Sequence, residues 1–158
     1  SWQYRYVRGG VLRQPPHSFI LNFNKVKWMK NNTMNTDIDS LIIAWGSTFT
    51  SNLGGNEIAI AKNGQLLGAG GGPSTVEAVE TAINRATKYH KDSLRGSVFA
   101  ADAFFPFRDA PELLCTAGCV AGVFPSGGMR EKEIMEIFNN ENIPVALLDP
   151  KIRGFCRH

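Results

Sequence analysis

Roughly the last sixty residues constrain the fold most, because strand-like and helix-like stretches alternate there in strict order. Residues 96–101, 119–124 and 143–148 are short apolar runs, and residues 109–117 and 129–140 between them read as helices. Strand, helix, strand, helix, strand at these lengths implies parallel strands joined by right-handed crossovers. Pro111 falls in the first turn of its helix, where the missing N–H is tolerated.

The upstream half adds an antiparallel portion. Glu57–Ala61 and Gln65–Ala69 are short apolar strands meeting at Asn63-Gly64, a dipeptide that suits the positive φ of a two-residue hairpin turn. Thr36 or Asp37 should cap a helix running to about Ser51, with Ile38, Leu41, Ile42, Trp45 and Phe49 as its inner stripe. Ser74 and Glu77 form a capping box that opens a second helix to about His90, its inner face Val76, Val79, Ile83 and Ala86. Near the start, residues 2–14 alternate like a strand broken by a bulge or bend at Gly9-Gly10 and stopped by Pro15-Pro16. Phe19, Leu21 and Phe23 share one face of a second short strand, which Val26 and Trp28 continue on the other parity, and a polar loop follows from Asn31 to Thr36. The expectation is one mixed-sheet, three-layer α/β domain over residues 1–158, with no internal repeat and no low-complexity segment.

Bulk properties exclude several classes. A chain of 158 residues with 43% hydrophobic and 20% charged residues is ordinary globular material, and no apolar run approaches the ~18 residues of a membrane span. The formal charge of +3 suits an anionic small ligand but falls short of a nucleic-acid footprint. Cys115, Cys119 and Cys156 lack both Cys-x-x-Cys spacing and nearby histidine, since His17, His90 and His158 are scattered. Reduced thiols, no metal and a cytoplasmic setting are the expectation. The chain begins with Ser1 inside what reads as a strand, which points to processing, truncation or a cloning tag.

Chemistry concentrates in the run from Ser97 to Asp109. An apolar strand ends in Asp102, and a Phe104-Phe105-Pro106-Phe107 corner leads to Asp109. Open α/β sheets place ligands at the carboxyl ends of their strands, so the aromatics have two readings, packed core or a flat binding wall. Asp102 reads as structural, and Asp109 as the cap of its helix. Gly68, Gly70, Gly71 and Gly72 precede a helix start. They suit an anion cradle or, equally, a flexible linker or a tight packing turn. Asn56 after Gly54-Gly55 is a turn residue or a polar ligand contact.

Asp102-Ala-Phe-Phe-Pro-Phe107 resembles the signature of the AICAR transformylase domain, the C-terminal part of the bifunctional purine-biosynthesis enzyme that also carries IMP cyclohydrolase. Further stretches agree in order and spacing: Arg8 to Gln14, Asn56 to Gly72, Gly96-Ser-Val98, Pro125 to Gly128 with Arg130-Glu131, and Phe155 to His158. The resemblance runs from about Tyr4 to His158 and covers the second half of that domain. It implies a cytidine-deaminase-like fold, present twice in the family's domain, with this chain as the second copy.

By the same resemblance Asn56 would contact the AICAR base, Phe104 would stack near its ring, and Gly70, Gly71 and Gly72 would border its phosphate. Arg153 and Phe155 would reach the same site. Pro106, Phe107 and Asp109 would face the pterin of 10-formyltetrahydrofolate, the co-substrate. Because the family's site forms at a dimer interface, the resemblance implies a homodimer or a partner chain carrying the first subdomain.

Three departures stand against it. The family's glycine-loop Arg falls here on Thr75 or Val76, two glycines precede Asn56, and the tail is one residue longer. The family's Lys-His pair lies in the first half and is absent, so no catalytic residue is expected within this chain, Asn56 being a candidate only for orienting the substrate. Formyl transfer then needs a partner, because general acid–base help is worth about 10²–10⁴-fold. A deaminase reading fails because His-x-Glu and Pro-Cys-x-x-Cys are missing. The competing expectation is a degenerate, non-catalytic relative with a structural or assembly role in a larger complex. A stand-alone small-ligand sensor is a third.

Overall fold

In the computed structural model the described residues are 2–14, 19–29, 35–49, 55–90 and 94–152. Inside the main sheet stand β4 (Asn56–Lys62) and β6 (Val98–Ala101), antiparallel neighbours buried on both faces. Beyond β6 run β7 (Ala121–Pro125) and β8 (Val145–Leu148), parallel to it and to each other, as the alternating strand–helix pattern requires. Their crossovers carry α3 (Asp109–Ala117) and α4 (Glu131–Asn140). A two-residue β3 (Lys27–Trp28) closes that side antiparallel to β8, and β5 (Gln65–Gly72) forms the opposite edge.

Helices cover both faces. On one side α2 (Thr75–Tyr89), α3 and α4 bury Ile58, Ile60, Phe99, Phe124 and Phe138. On the other, α1 (Ile38–Thr48) sets Leu41 and Trp45 against Ala59, Val98 and Val123. Each α1-side strand residue alternates with an α2-side one, the period of two that a two-faced sheet demands. The three-layer expectation is met.

Local sequence signals act as read at several points. Asn63 (φ 51°) and Gly64 (φ 73°) both take positive φ and close the β4–β5 hairpin. Asp37 caps α1 by accepting from the Ser40 amide at 3.0 Å, and Ser74 caps α2 by accepting from the Glu77 amide at 3.1 Å.

Elsewhere the tertiary structure overrides the pattern. Residues 2–14 are not one bent strand but a hairpin, β1 (Gln3–Val7) paired with β2 (Gly10–Gln14) in a separate two-stranded sheet. The turn needs the positive φ that Gly9 supplies (85°). Residues 2–13 are all exposed, Tyr6 at 84%. Phe19–Phe23 forms no strand, because only Lys27–Trp28 finds a sheet partner. Its rings pack instead, Phe19 edge-on to Trp45 at 6.2 Å and Phe23 stacked on Trp28 at 5.6 Å. Ile42 was expected in the α1 stripe and is 45% exposed, while Ala44 takes its place against the sheet.

The glycine run is the clearest correction to the local reading. Gly70–Gly72 belong to β5 rather than to a loop. A Cβ on Gly68 would come to 2.8 Å from the Ala86 amide nitrogen, and one on Gly70 to 2.7 Å from that of Ala82. These glycines let α2 lie directly on the strand.

Candidate functional site

The topology gathers distant segments at one end of the sheet. β6 and β7 end there at Ala101 and Pro125, and β8 at Leu148. Because β4 runs antiparallel to β6, its first residues Asn56 and Glu57 lie at that same end, and Gly72 of β5 pairs with Asn56. Asn56, Gly70–Gly72, the Phe104–Asp109 corner and the Ser126–Arg130 turn therefore all lie at the same end of the sheet, the end where open α/β sheets place ligands.

The corner separates its aromatics by fate. Phe105 is 1% exposed, with ring centroids 4.9 Å from Phe124 and 6.1 Å from Phe99, so the core reading holds for this residue. Phe104 is half-buried against Gly128, where a Cβ would approach its ring to 3.0 Å. Pro106 is half-buried and Phe107 is 56% exposed. The Arg130 guanidinium sits 5.4 Å over the Phe107 ring, within cation–π range. Arg108 pairs with Glu112 at 2.9 Å and with Glu133 at 3.6 Å, tying the corner to α4. Such exposed pairs contribute little to stability.

Asp109 is not the cap of α3. It is the first helical residue, the cap position falls on Arg108, and no side chain caps the helix there. Its exposed carboxylate sits in the first turn, where the helix dipole favours negative charge, and is open to a ligand. Asn56 is half-buried, its amide donating to the Gly72 carbonyl at 3.4 Å. That long bond leaves its carboxamide able to turn to a ligand.

Asp102 is structural, as its place at the strand end suggested. Its Oδ1 accepts from the Glu57 amide at 2.9 Å, and its own amide donates to the Glu57 carbonyl at 3.1 Å. This exchange clamps β4 to β6 one step beyond their last ladder pair. Sequence reasoning missed Glu57, whose side chain is 5% exposed and faces Gly71. A Cβ on Gly71 would meet the Glu57 carboxylate oxygens at 2.5 and 2.7 Å, so the glycine makes room for an acid. The available signal was parity, since neighbours on a strand point to opposite faces and Glu57 must turn away from Asn56 into the α1 layer.

Where the family places an Arg, Thr75 and Val76 open α2 instead. Arg85 does not substitute: its Nη1 donates to the Ala69 carbonyl at 2.6 Å, farther back along β5. Arg153 and Phe155 lie outside the described residues, which end at Ile152 in the turn of 3-10 helix Pro150–Ile152. Among the described residues no three His, Cys, Asp or Glu side chains are grouped as metal ligands. Burial pushes the Cys115 thiol up to about 11 and that of Cys119 to about 12, so both are protonated at neutral pH.

A six-stranded mixed sheet between helical layers, with its candidate site at the strand ends, defines a deaminase-like α/β fold. A dCMP deaminase from cyanophage S-TIM5 superposes with a TM-score of 0.54, covering 73% of this chain and all of that one at 16% identity. That likeness carries the fold alone. By sequence the chain is homologous, over nearly its whole length, to one portion of the bifunctional purine biosynthesis protein PurH. It is 33% identical over 156 residues to PurH of Aquifex aeolicus, covering 98% of this chain. Against PurH of Caldicellulosiruptor saccharolyticus the figures are 35% over 158 residues and 99%. The chain spans about 30% of the length of these relatives. No family model matches it.

Proposed function

We propose that this chain serves in de novo purine biosynthesis as part of an AICAR formyltransferase, equivalent to the second subdomain of the transformylase domain. Residues 1–158 would bind AICAR and 10-formyltetrahydrofolate together with a partner half, in a homodimer or with a chain carrying the first subdomain. Asn56, Phe104 and the Gly70–Gly72 backbone would meet AICAR, joined by Arg153 and Phe155. Pro106, Phe107 and Asp109 would face the folate. One observation carries this reading: Asn56, Gly72 and the exposed Phe107 corner lie at the same end of the sheet in a chain a third identical to PurH.

A non-catalytic, structural relative is the second reading. It is favoured by the absence of a cation where α2 begins, and by Arg85 being engaged at the Ala69 carbonyl. A charge-assisted contact to phosphate contributes about 1.5–3 kcal/mol, so its loss weakens nucleotide binding about ten- to a hundred-fold.

Calorimetric titration with AICAR, alone and with a folate analogue, separates the two. Saturable binding with a dissociation constant on the order of 1 µM supports the first reading, and no heat at about 1 mM ligand supports the second.

A further inference from the structure

The opposite end of the sheet edge carries a feature that the ligand site does not use. Between β5 and the last two turns of α2 runs a groove of about 450 Å³, lined by Leu66, Gly68, Asn84, Arg85, Lys88 and Tyr89. It begins next to the Asn63-Gly64 turn, while the candidate site lies at the Gly72 end of the same strand.

Three properties of this groove belong together. First, β5 is the edge of the sheet and its longest strand at eight residues, with glycine at four of them and no proline. Such an edge offers backbone groups to another extended chain. Second, the edge is not left bare: the Arg85 guanidinium holds the Ala69 carbonyl at 2.6 Å, so that carbonyl faces away from β4. A side chain occupies a position that a pairing strand would take. Third, the lining has two cations and no acid, with Leu66 and Tyr89 exposed beside them and Lys88 lying 5.2 Å from the Tyr89 ring. The nearest acid on the same α2 stripe, Glu80, sits one turn back from Asn84 and outside the lining.

An exposed edge supplies main-chain bonds, and a strand–helix groove beside it supplies side-chain selection. Together they make the geometry of strand addition. We infer that the β5–α2 groove docks an extended, acidic peptide segment of a partner protein. The segment pairs with β5, sets an apolar side chain against Leu66 and Tyr89, and presents a carboxylate to Arg85 and Lys88. Arg85 covers the edge until that carboxylate draws it off the Ala69 carbonyl. Glu80 sets the direction, since a second acid at the N-terminal end of the groove would meet like charge.

The test uses the full ¹⁵N-labelled chain and two synthetic peptides as long as β5, alternating Val and Thr. One carries two Glu near an end, and its twin carries Lys there. The acidic peptide should shift the amide resonances of residues 65–69 and 84–89, with a dissociation constant on the order of 1 mM. The Lys twin should bind at least about fivefold more weakly, as expected for two exposed ion pairs. Lys88→Glu should weaken the acidic peptide and strengthen its twin, with an unchanged thermal midpoint. Equal binding of the two peptides, or no shift within residues 65–69 at about 5 mM peptide, would overturn the inference.

Discussion

Phe105 and Phe107 stand two residues apart in one irregular corner, and the fold spends them differently. Phe105 closes an aromatic cluster with Phe99, Phe124 and Phe138, whereas Phe107 lies over half exposed beneath Arg130. Phe105→Ala should therefore cost about 3–5 kcal/mol in a denaturant titration. Phe107→Ala should change stability by no more than about 0.5 kcal/mol and act on folate-analogue affinity instead. A Phe107 variant as unstable as the Phe105 variant would mean that the ring is core and not wall. The sequence places three aromatics around a proline but cannot say which turns inward, because a corner has no period. Glu57 shows the converse: its strand has a period, and parity alone sends it away from Asn56.

At the scale of elements, Asp37 joins two units that are distant in sequence. Its carboxylate caps α1 through Ser40 and accepts from the Asn63 amide at 2.8 Å, while the Ser40 hydroxyl accepts from the Gly64 amide at 2.9 Å. Burial pushes this carboxyl up, but donation from Ser40 and Asn63 outweighs it and leaves the group below the ordinary carboxylate range. A carboxyl lowered by folding stabilises the native state above its unfolded pKa of about 4, and that contribution is lost as pH falls through the folded value. Asp37→Ala should cost roughly 0.5–2 kcal/mol at pH 7 and flatten the fall in stability below about pH 4, read by thermal unfolding across pH. Packing of α2 on β5 offers a second test. Gly70→Ala would drive a methyl group into the backbone of Ala78 and Ala82, and should lower stability by about 1–3 kcal/mol in the same measurement. A neutral or stabilising result would show that the helix can back away from the strand. The capping residue and the turn were legible because both are local, but their mutual bond was not.

For the whole molecule, stability should be distributed unevenly. The interior strands β4, β6 and β7 are buried on both faces, whereas among the described residues β1 and β2 pair only with each other and lie exposed. A lone two-stranded hairpin is marginal in water, so the amides of residues 3–7 and 10–14 should exchange with little protection while those of β4 and β6 approach the global limit. Hydrogen exchange followed by mass spectrometry checks this. Strong protection of the hairpin in a dilute monomer would show that it is held on the body of the protein.

By itself the sequence determined the order and kind of the helices and sheet strands from residue 36 onward, the Asn63-Gly64 turn, the caps of α1 and α2 though not that of α3, and the deaminase-like arrangement. Periodicity, turn chemistry and capping act within a few residues, and the motif resemblance runs along the chain. Only the tertiary structure decided that Phe105 is core, that Gly68 and Gly70 serve helix packing, that Ile42 faces water and that β5 is an edge strand of the described sheet. Each of these depends on which surface comes to lie against which. Pairing between segments tens of residues apart sets that outcome, and no local pattern encodes it.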